Sequence, residues 1–170
     1  AMRAIDIALV VVNGVSGVEV GTENAVSLAA ESNRARVFFV NLCDREHADF
    51  DKVSGMITST FGTTAVPVQI PVNIGEGFDT VVDLVTGKAI TVDDKGKGIV
   101  GDVPADLQDT VSSAREALME SVAECDDDLL EKFFDAGELT EEEFMAGMKK
   151  GISEGKLFPI LCGASGKAAG

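Results

Sequence analysis

The sequence has neither tryptophan nor tyrosine, and all nine of its aromatic residues are phenylalanine. Histidine occurs once, at His47. No serine or cysteine nucleophile and no second histidine stand at a useful spacing from it, so His47 reads as a surface or helix-start residue, not a catalyst. Three cysteines, Cys43, Cys125 and Cys162, lack any C-x-x-C spacing. That excludes a zinc site or a disulfide framework and leaves reduced thiols as the expectation. No apolar run approaches the roughly 20 residues needed to span a bilayer. The opening, Met2-Arg3 and then Leu9-Val10-Val11-Val12, is too short for a secretion signal and lacks a small-residue cleavage site. A cytoplasmic protein without a membrane partner is expected, with Ala1 ahead of Met2 a remnant of cloning. Basic residues are also few, 14 against 29 acidic, for a net charge of −15. Gripping phosphate backbones needs Lys and Arg, so no direct nucleic-acid contact is expected.

What is present is ordinary globular material, 170 residues with 45% hydrophobic, enough for one core or for one domain with an insertion. The stretch Arg36-Val37-Phe38-Phe39-Val40-Asn41-Leu42-Cys43-Asp44 runs from β-prone apolar residues into two polar groups. Such a run predicts a strand buried on both faces of a parallel sheet. Ligands of open parallel sheets sit beyond the carboxyl ends of the strands, which makes Asn41 and Asp44 candidate binding residues. Residues 5–12 form a second buried-strand candidate. A helix follows over 22–30, with Thr22 as cap and Ala25, Val26, Leu28 and Ala29 as its apolar face. After Asp44, apolar Phe50, Val53, Met56, Ile57 and Phe61 recur at helical steps, and Gly62 caps them. The pattern so far is that of an α/β parallel sheet.

Residues 65–72, 77–84 and 88–92 are shorter β-prone runs. Turn signals separate them, including 93–98, and Pro67 and Pro71 place their run at a sheet edge or strand end. Helices come next. Leu107, Val111, Ala114, Leu118, Val122 and Cys125 make one stripe of a helix over 106–125. Asp109, Glu116, Glu120 and Glu124 make the opposite, acidic one. From 102 to 154 there are 16 acidic and 4 basic residues, so either a solvated face or a docking surface for a basic partner is expected. A short helix over 127–135 should take Asp126 as cap and turn Leu130, Phe133 and Phe134 inward. Thr140 with Glu143 makes a capping box, and Leu139 with Phe144 a hydrophobic staple, for a helix to Gly155 that buries Phe144, Met148 and Ile152. Residues 156–162 return to the buried-strand texture. The organisation read from this is a parallel α/β unit, 1–64 and 156–170, interrupted by an inserted mixed α/β subdomain over 65–155.

Several longer segments then become diagnostic together. Val11-Val12-x-x-Val15-Ser16-Gly17-Val18-Glu19-Val20-Gly21-Thr22-Glu23 is followed by Phe39-Val40-Asn41-x-x-Asp44-Arg45-Glu46-x-Ala48-Asp49-Phe50. Ala65-Val66-Pro67-Val68-Gln69-Ile70-Pro71, Val81-Val82-Asp83-Leu84 and Pro159-Ile160-Leu161-Cys162-Gly163 complete the set. In this order they resemble bacterial elongation factor G across the whole chain. The resemblance implies the second half of a P-loop GTPase-type domain with its inserted subdomain, from a parent that binds GTP or GDP and drives ribosomal translocation. It places Asn41 and Asp44 in the guanine-specificity motif Asn-Lys-x-Asp, and Ala164 and Ser165 in the second guanine-side motif. An ionised carboxylate such as Asp44 accepts two parallel hydrogen bonds from the guanine ring N–H and exocyclic amine, a donor pair that adenine lacks.

Two positions depart from that family pattern. Leu42 stands where the family has Lys. Loss of a charged hydrogen bond of roughly 1.5–3 kcal/mol weakens nucleotide affinity roughly tenfold to over a hundredfold. Cys162-Gly163-Ala164-Ser165 replaces Cys-Gly-Ser-Ala, which keeps a backbone N–H for the guanine oxygen and moves the hydroxyl by one position. The alternative expectation is therefore a divergent ribosome-associated protein with weakened or lost GTP binding. No G-x-x-x-x-G-K-[ST] phosphate loop occurs. The family's magnesium-binding threonine and water-positioning histidine would precede Met2. The fragment alone is expected to hydrolyse no GTP and to bind no magnesium, both being functions of the parent. The resemblance also turns the acidic face of Asp109, Glu116, Glu120 and Glu124 toward the ribosome's stalk proteins. An independent acidic module remains the third expectation, should the gene begin at Met2.

Overall fold

The computed structural model describes residues 5–93 and 95–170, so Ala1, Met2, Arg3 and Ala4, and the Asp94 of the expected turn, lie outside it. In chain order the elements are β1 (Ile7–Asn13), α1 (Val20–Glu31), β2 (Ala35–Asn41), α2 (Phe50–Phe61) and β3 (Ala65–Pro67). Then come β4 (Gln69–Val72), β5 (Thr80–Asp83), β6 (Lys88–Val92) and β7 (Gly98–Gly101). After these run α3 (Gln108–Ala123), α4 (Asp127–Ala136), α5 (Glu141–Ser153) and β8 (Phe158–Cys162).

Two sheets result. The first is wholly parallel, in the order β1-β2-β8-β3, and the second is antiparallel, in the order β4-β5-β6-β7. The fold is therefore mixed α/β, as expected, and β8 enters between β2 and β3 after nearly a hundred residues of other structure. The 65–155 range read as inserted begins with Ala65–Pro67, which instead pairs with β8 and forms the edge of the parallel sheet. Both prolines in this run fall where a missing N–H is harmless. Pro67 ends the edge strand β3, and Pro71 lies on β4, the edge of the antiparallel sheet.

The parallel sheet buries one face under α1 and α2. Val10, Val12, Phe38, Val40 and Ile160 pack there with Val26, Phe50, Val53 and Ile57. On the other face, Val66 and Leu161 meet the inserted helices through Val122, Leu118 and Phe144. That cover stops short of β1. Ile7, Leu9 and Val11 are 52%, 60% and 56% exposed, so β1 is buried on one face and not on both as its apolar run predicts.

Other differences are local. Helix α1 starts at Val20 with Glu19 as cap, and the Thr22 hydroxyl accepts the Glu19 N–H at 3.4 Å from inside the first turn. Leu28 is exposed, because the buried stripe is Thr22, Val26 and Ala29, and Leu28 stands about 120° round the helix from it. Phe134 is 76% exposed for the same reason, about 140° round from Leu129 on α4. Strand β7 is absent from the sequence pattern, since two of its four residues are glycine and all four are exposed. Cross-strand pairing with β6 makes it a strand, after a turn in which Asp93 Oδ1 accepts the Lys95 and Lys97 N–H groups at 2.9 Å each. The start of α5 follows expectation. Thr140 Oγ1 accepts the Glu143 N–H at 3.3 Å, while Glu143 Oε2 accepts the Thr140 N–H at 3.1 Å.

Candidate functional site

The carboxyl ends of β1, β2 and β8 converge on one edge, and backbone contacts lock their loops together. Gly14 N–H donates to Asn41 O at 2.8 Å, joining the end of β1 to the end of β2. A Cβ on Gly14 would sit 2.7 Å from that same oxygen, so only glycine permits the approach. Gly163 joins β8 to β2 in both directions. Its N–H donates to Val40 O at 2.9 Å and its carbonyl accepts Cys43 N–H at 3.1 Å. A Cβ there would lie 2.5 Å from Ala169 O and 2.7 Å from Phe39 Cζ. The Asp49 N–H returns to Gly14 O at 2.9 Å, and the Asp49 side chain caps α2 by accepting the Lys52 N–H at 2.9 Å.

Asn41 and Ser165 meet on this edge. Asn41 Nδ2 donates to Ser165 Oγ and Asn41 Oδ1 accepts the Ser165 N–H, each at 3.0 Å. This exchange fixes which way the amide points. Ser165 is exposed, whereas Ala164 is fully buried and its N–H donates to Ala169 O at 2.7 Å. Asp44 is half-buried in the turn after β2, one residue beyond the Cys43–Gly163 contact. Among the described residues, none donates a hydrogen bond to its carboxylate. Leu42 lies between Asn41 and Asp44 with φ at +67°, a left-handed conformation that tightens the turn and sends Leu42 O to the Arg45 N–H at 3.0 Å.

The thiols on this edge are inert. Burial, with the Asp44 carboxylate adding to it, pushes the Cys43 thiol up to about 11, and burial raises that of Cys162 as well. Both are protonated at neutral pH and so are poor nucleophiles. His47 is exposed in the next turn with its Nε2 4.0 Å from Glu46 Oε1, the surface position expected of it.

The inserted segment reaches the same edge. Gly75 N–H donates to Cys43 O at 2.9 Å, and Lys167 Nζ donates to Glu76 O. A cleft of about 630 Å3 lies beside Ser165, walled by Glu76–Asp79 on one side and Gly166–Ala169 on the other. Gln69 Oε1 accepts the Cys162 N–H at 3.1 Å and ties β4 to β8. Sequence reasoning misses Gly14, Gln69 and Gly75 as parts of this edge. For Gly14 the available signal is the Asn13-Gly14 pair ending an apolar run; for Gln69 there is none.

Away from the edge, the four acidic residues singled out, Asp109, Glu116 and Glu120 on α3 and Glu124 at its C-cap, are all exposed. Val111, Leu118 and Val122 are buried on the opposite side of the same helix. Among the described residues no helix is long and apolar enough to cross a membrane.

The family model for the elongation factor Tu GTP-binding domain matches residues 1–170. The chain belongs to that family. The resemblance to elongation factor G thus falls within a family of translational GTPases. A crystal structure of a Thermus thermophilus protein matches with a TM-score of 0.90 and 28% identity, covering 99% of this chain and 25% of that one. The chain therefore spans about a quarter of the length of that solved protein. The matched fold carries the parallel sheet and the antiparallel insertion together.

Proposed function

We propose that this chain supplies the guanine-recognition side of the GTP site in an elongation factor G-like GTPase that acts in ribosomal translocation. The observation that carries the reading is the Asn41–Ser165 exchange. It joins two candidate motifs, 124 residues apart, at the carboxyl edge of a parallel sheet. Ligands of such sheets bind at this edge. The donor set fits a guanine base. Asp44 offers an acceptor-only carboxylate for the ring N–H and exocyclic amine, and the Ser165 N–H, held here by Asn41 Oδ1, is a donor of the kind that the C6 carbonyl oxygen needs. The phosphates and magnesium find no such fit here, since the sequence has no phosphate loop. Those parts belong to the rest of the GTP-binding domain, which would also cover Ile7, Leu9 and Val11 on β1. Phosphoryl transfer is then a property of the assembled domain and not of this chain alone.

The acidic face of α3 is the proposed contact for the ribosomal stalk proteins. Its gain is steering of a basic partner, so charge reversal at Glu116 and Glu120 slows association at low salt and matters less at high salt. An unchanged rate leaves a solvated helix face.

Leu42 favours a second reading, a divergent ribosome-associated protein that has lost nucleotide, because its side chain cannot supply the charge that relatives place beside the base. Calorimetric titration of the full-length protein with GDP separates the two. Low-micromolar or tighter binding supports guanine recognition, and no detectable binding supports the second reading.

A further inference from the structure

The carboxyl edge already engages the groups that a base would need. Ala164 offers nothing to a ligand, being fully buried with its N–H on Ala169 O. Ser165 is exposed, but its N–H is held by Asn41 Oδ1, and the same asparagine donates in return to the Ser165 hydroxyl. The backbone on either side is fixed, because the Lys167 N–H returns to Ala164 O at 2.9 Å and the Ala169 N–H to the same oxygen at 3.3 Å. The Asn41 side chain, in contrast, can leave by rotation about its own bonds. Asn41 Oδ1 and a ligand carbonyl are rival acceptors for one hydrogen. Two bonds hold Asn41 in the competing place, and the second exists only because residue 165 carries a hydroxyl.

We propose that Ser165 is a positioning residue that latches Asn41 across the Ser165 N–H, so that a purine with an oxygen at C6 must displace the Asn41 amide before that N–H can read it. The inference rests on the guanine reading of this edge. It makes Ser165 a determinant of how tightly 6-oxo purines bind, separate from the acceptor role of Asp44. Its effect is confined to the oxygen at C6, since the Asp44 carboxylate meets the other side of the base.

The test compares the full-length protein with its Ser165→Ala and Ser165→Thr variants. Each is titrated with GDP, with inosine diphosphate, which keeps the C6 oxygen and lacks the exocyclic amine, and with 2-aminopurine riboside diphosphate, which lacks the C6 oxygen. Removing one hydrogen bond of the latch should tighten GDP and inosine diphosphate binding by about three- to tenfold in Ser165→Ala. The 2-aminopurine nucleotide should show no gain, and Ser165→Thr, which keeps the hydroxyl, should match the unsubstituted protein. GDP binding by the unsubstituted protein with an equal or weaker affinity in Ser165→Ala overturns the latch and leaves the guanine reading standing. An equal gain for all three nucleotides also overturns it, because a loosened loop would act on any base. Absence of binding by every variant overturns the guanine reading and the latch together.

Discussion

Helix α5 begins where Thr140 and Glu143, three residues apart, exchange hydrogen bonds; the candidate site closes where Asn41 and Ser165, 124 residues apart, do the same. The first pairing is local, and its cost in chain entropy is small. The second needs β1, β2 and β8 already in register, because the two loops are brought together only by the sheet. Chemistry on the inserted helices is thus set by periodicity and capping, whereas chemistry on the sheet edge is set by close backbone approaches between distant segments. A substitution confined to the surface of the inserted helices should leave the edge assembled, but anything that prevents the approach of two loops should dissolve it.

Truncation of one buried phenylalanine in each region gives the largest effect. Phe38 in the parallel core and Phe144 in the insertion are both fully buried, and alanine at either should cost about 3–5 kcal/mol. The two regions share backbone bonds, Val68 N–H to Ile160 O and Leu84 N–H to Val68 O, each 3.0 Å. Calorimetry should therefore show a single transition lowered in both variants. A separate early transition in Phe144→Ala alone would show that the insertion melts by itself.

Next in size is Gly163→Ala. The added carbon has backbone oxygen of Ala169 and the Phe39 ring in its way, and the strain should cost about 1–3 kcal/mol. Unlike Phe144→Ala, it should also disconnect Asn41 from Ser165, which hydrogen exchange at the Ser165 amide would report as lost protection. Protection unchanged at that amide would break the link between glycine packing and the site.

A smaller effect comes from the capping box. Thr140→Ala should cost about 1 kcal/mol, read as a lowered denaturation midpoint. The Lys132 ammonium, hydrogen-bonded to Glu143, and then Thr140 hold the Glu143 carboxyl down to about 2 from an ordinary 4.5. A carboxyl lowered in the folded state stabilises the fold above its unfolded value and loses that contribution as pH falls toward the folded one. The stability difference between the unsubstituted protein and Glu143→Gln should therefore be full above pH 4.5 and shrink between pH 4.5 and 2. A difference that stayed constant across that window would remove Glu143 from the account.

The same contrast between local and distant contacts decides what was legible in the sequence. The Gly62 cap of α2, the start of α5 at Thr140, the cap at Asp126 and the acidic stripe of α3 follow from neighbours within a turn or two and stand where the pattern puts them, although α5 ends at Ser153 and not at Gly155. The mixed α/β class was legible from the order of elements, but the apolar run of β2 was legible only by half, since Phe38 and Val40 are buried while Val37 and Phe39 on the other face are half-buried. What failed was whatever depended on the partner. β7 is a strand only because β6 is beside it, β1 is exposed on one face because the covering elements stop short of it, and Ala65–Pro67 joins the parallel sheet only through β8. At the site, the residue types at 41, 44 and 165 were legible, but the reciprocal Asn41–Ser165 pairing and the glycine approaches behind it were not.

The central claim, that this edge reads guanine through Asp44, is tested most directly by one substitution. Asp44→Asn exchanges one carboxylate acceptor for an amide donor, which mismatches the exocyclic amine of guanine and matches the carbonyl at C2 of xanthine. Titration of the full-length Asp44→Asn variant with GDP and with xanthosine diphosphate should show GDP affinity falling at least about tenfold and xanthosine diphosphate affinity rising. Unchanged affinity for GDP, or an equal loss for both nucleotides, would contradict a base-reading role for Asp44.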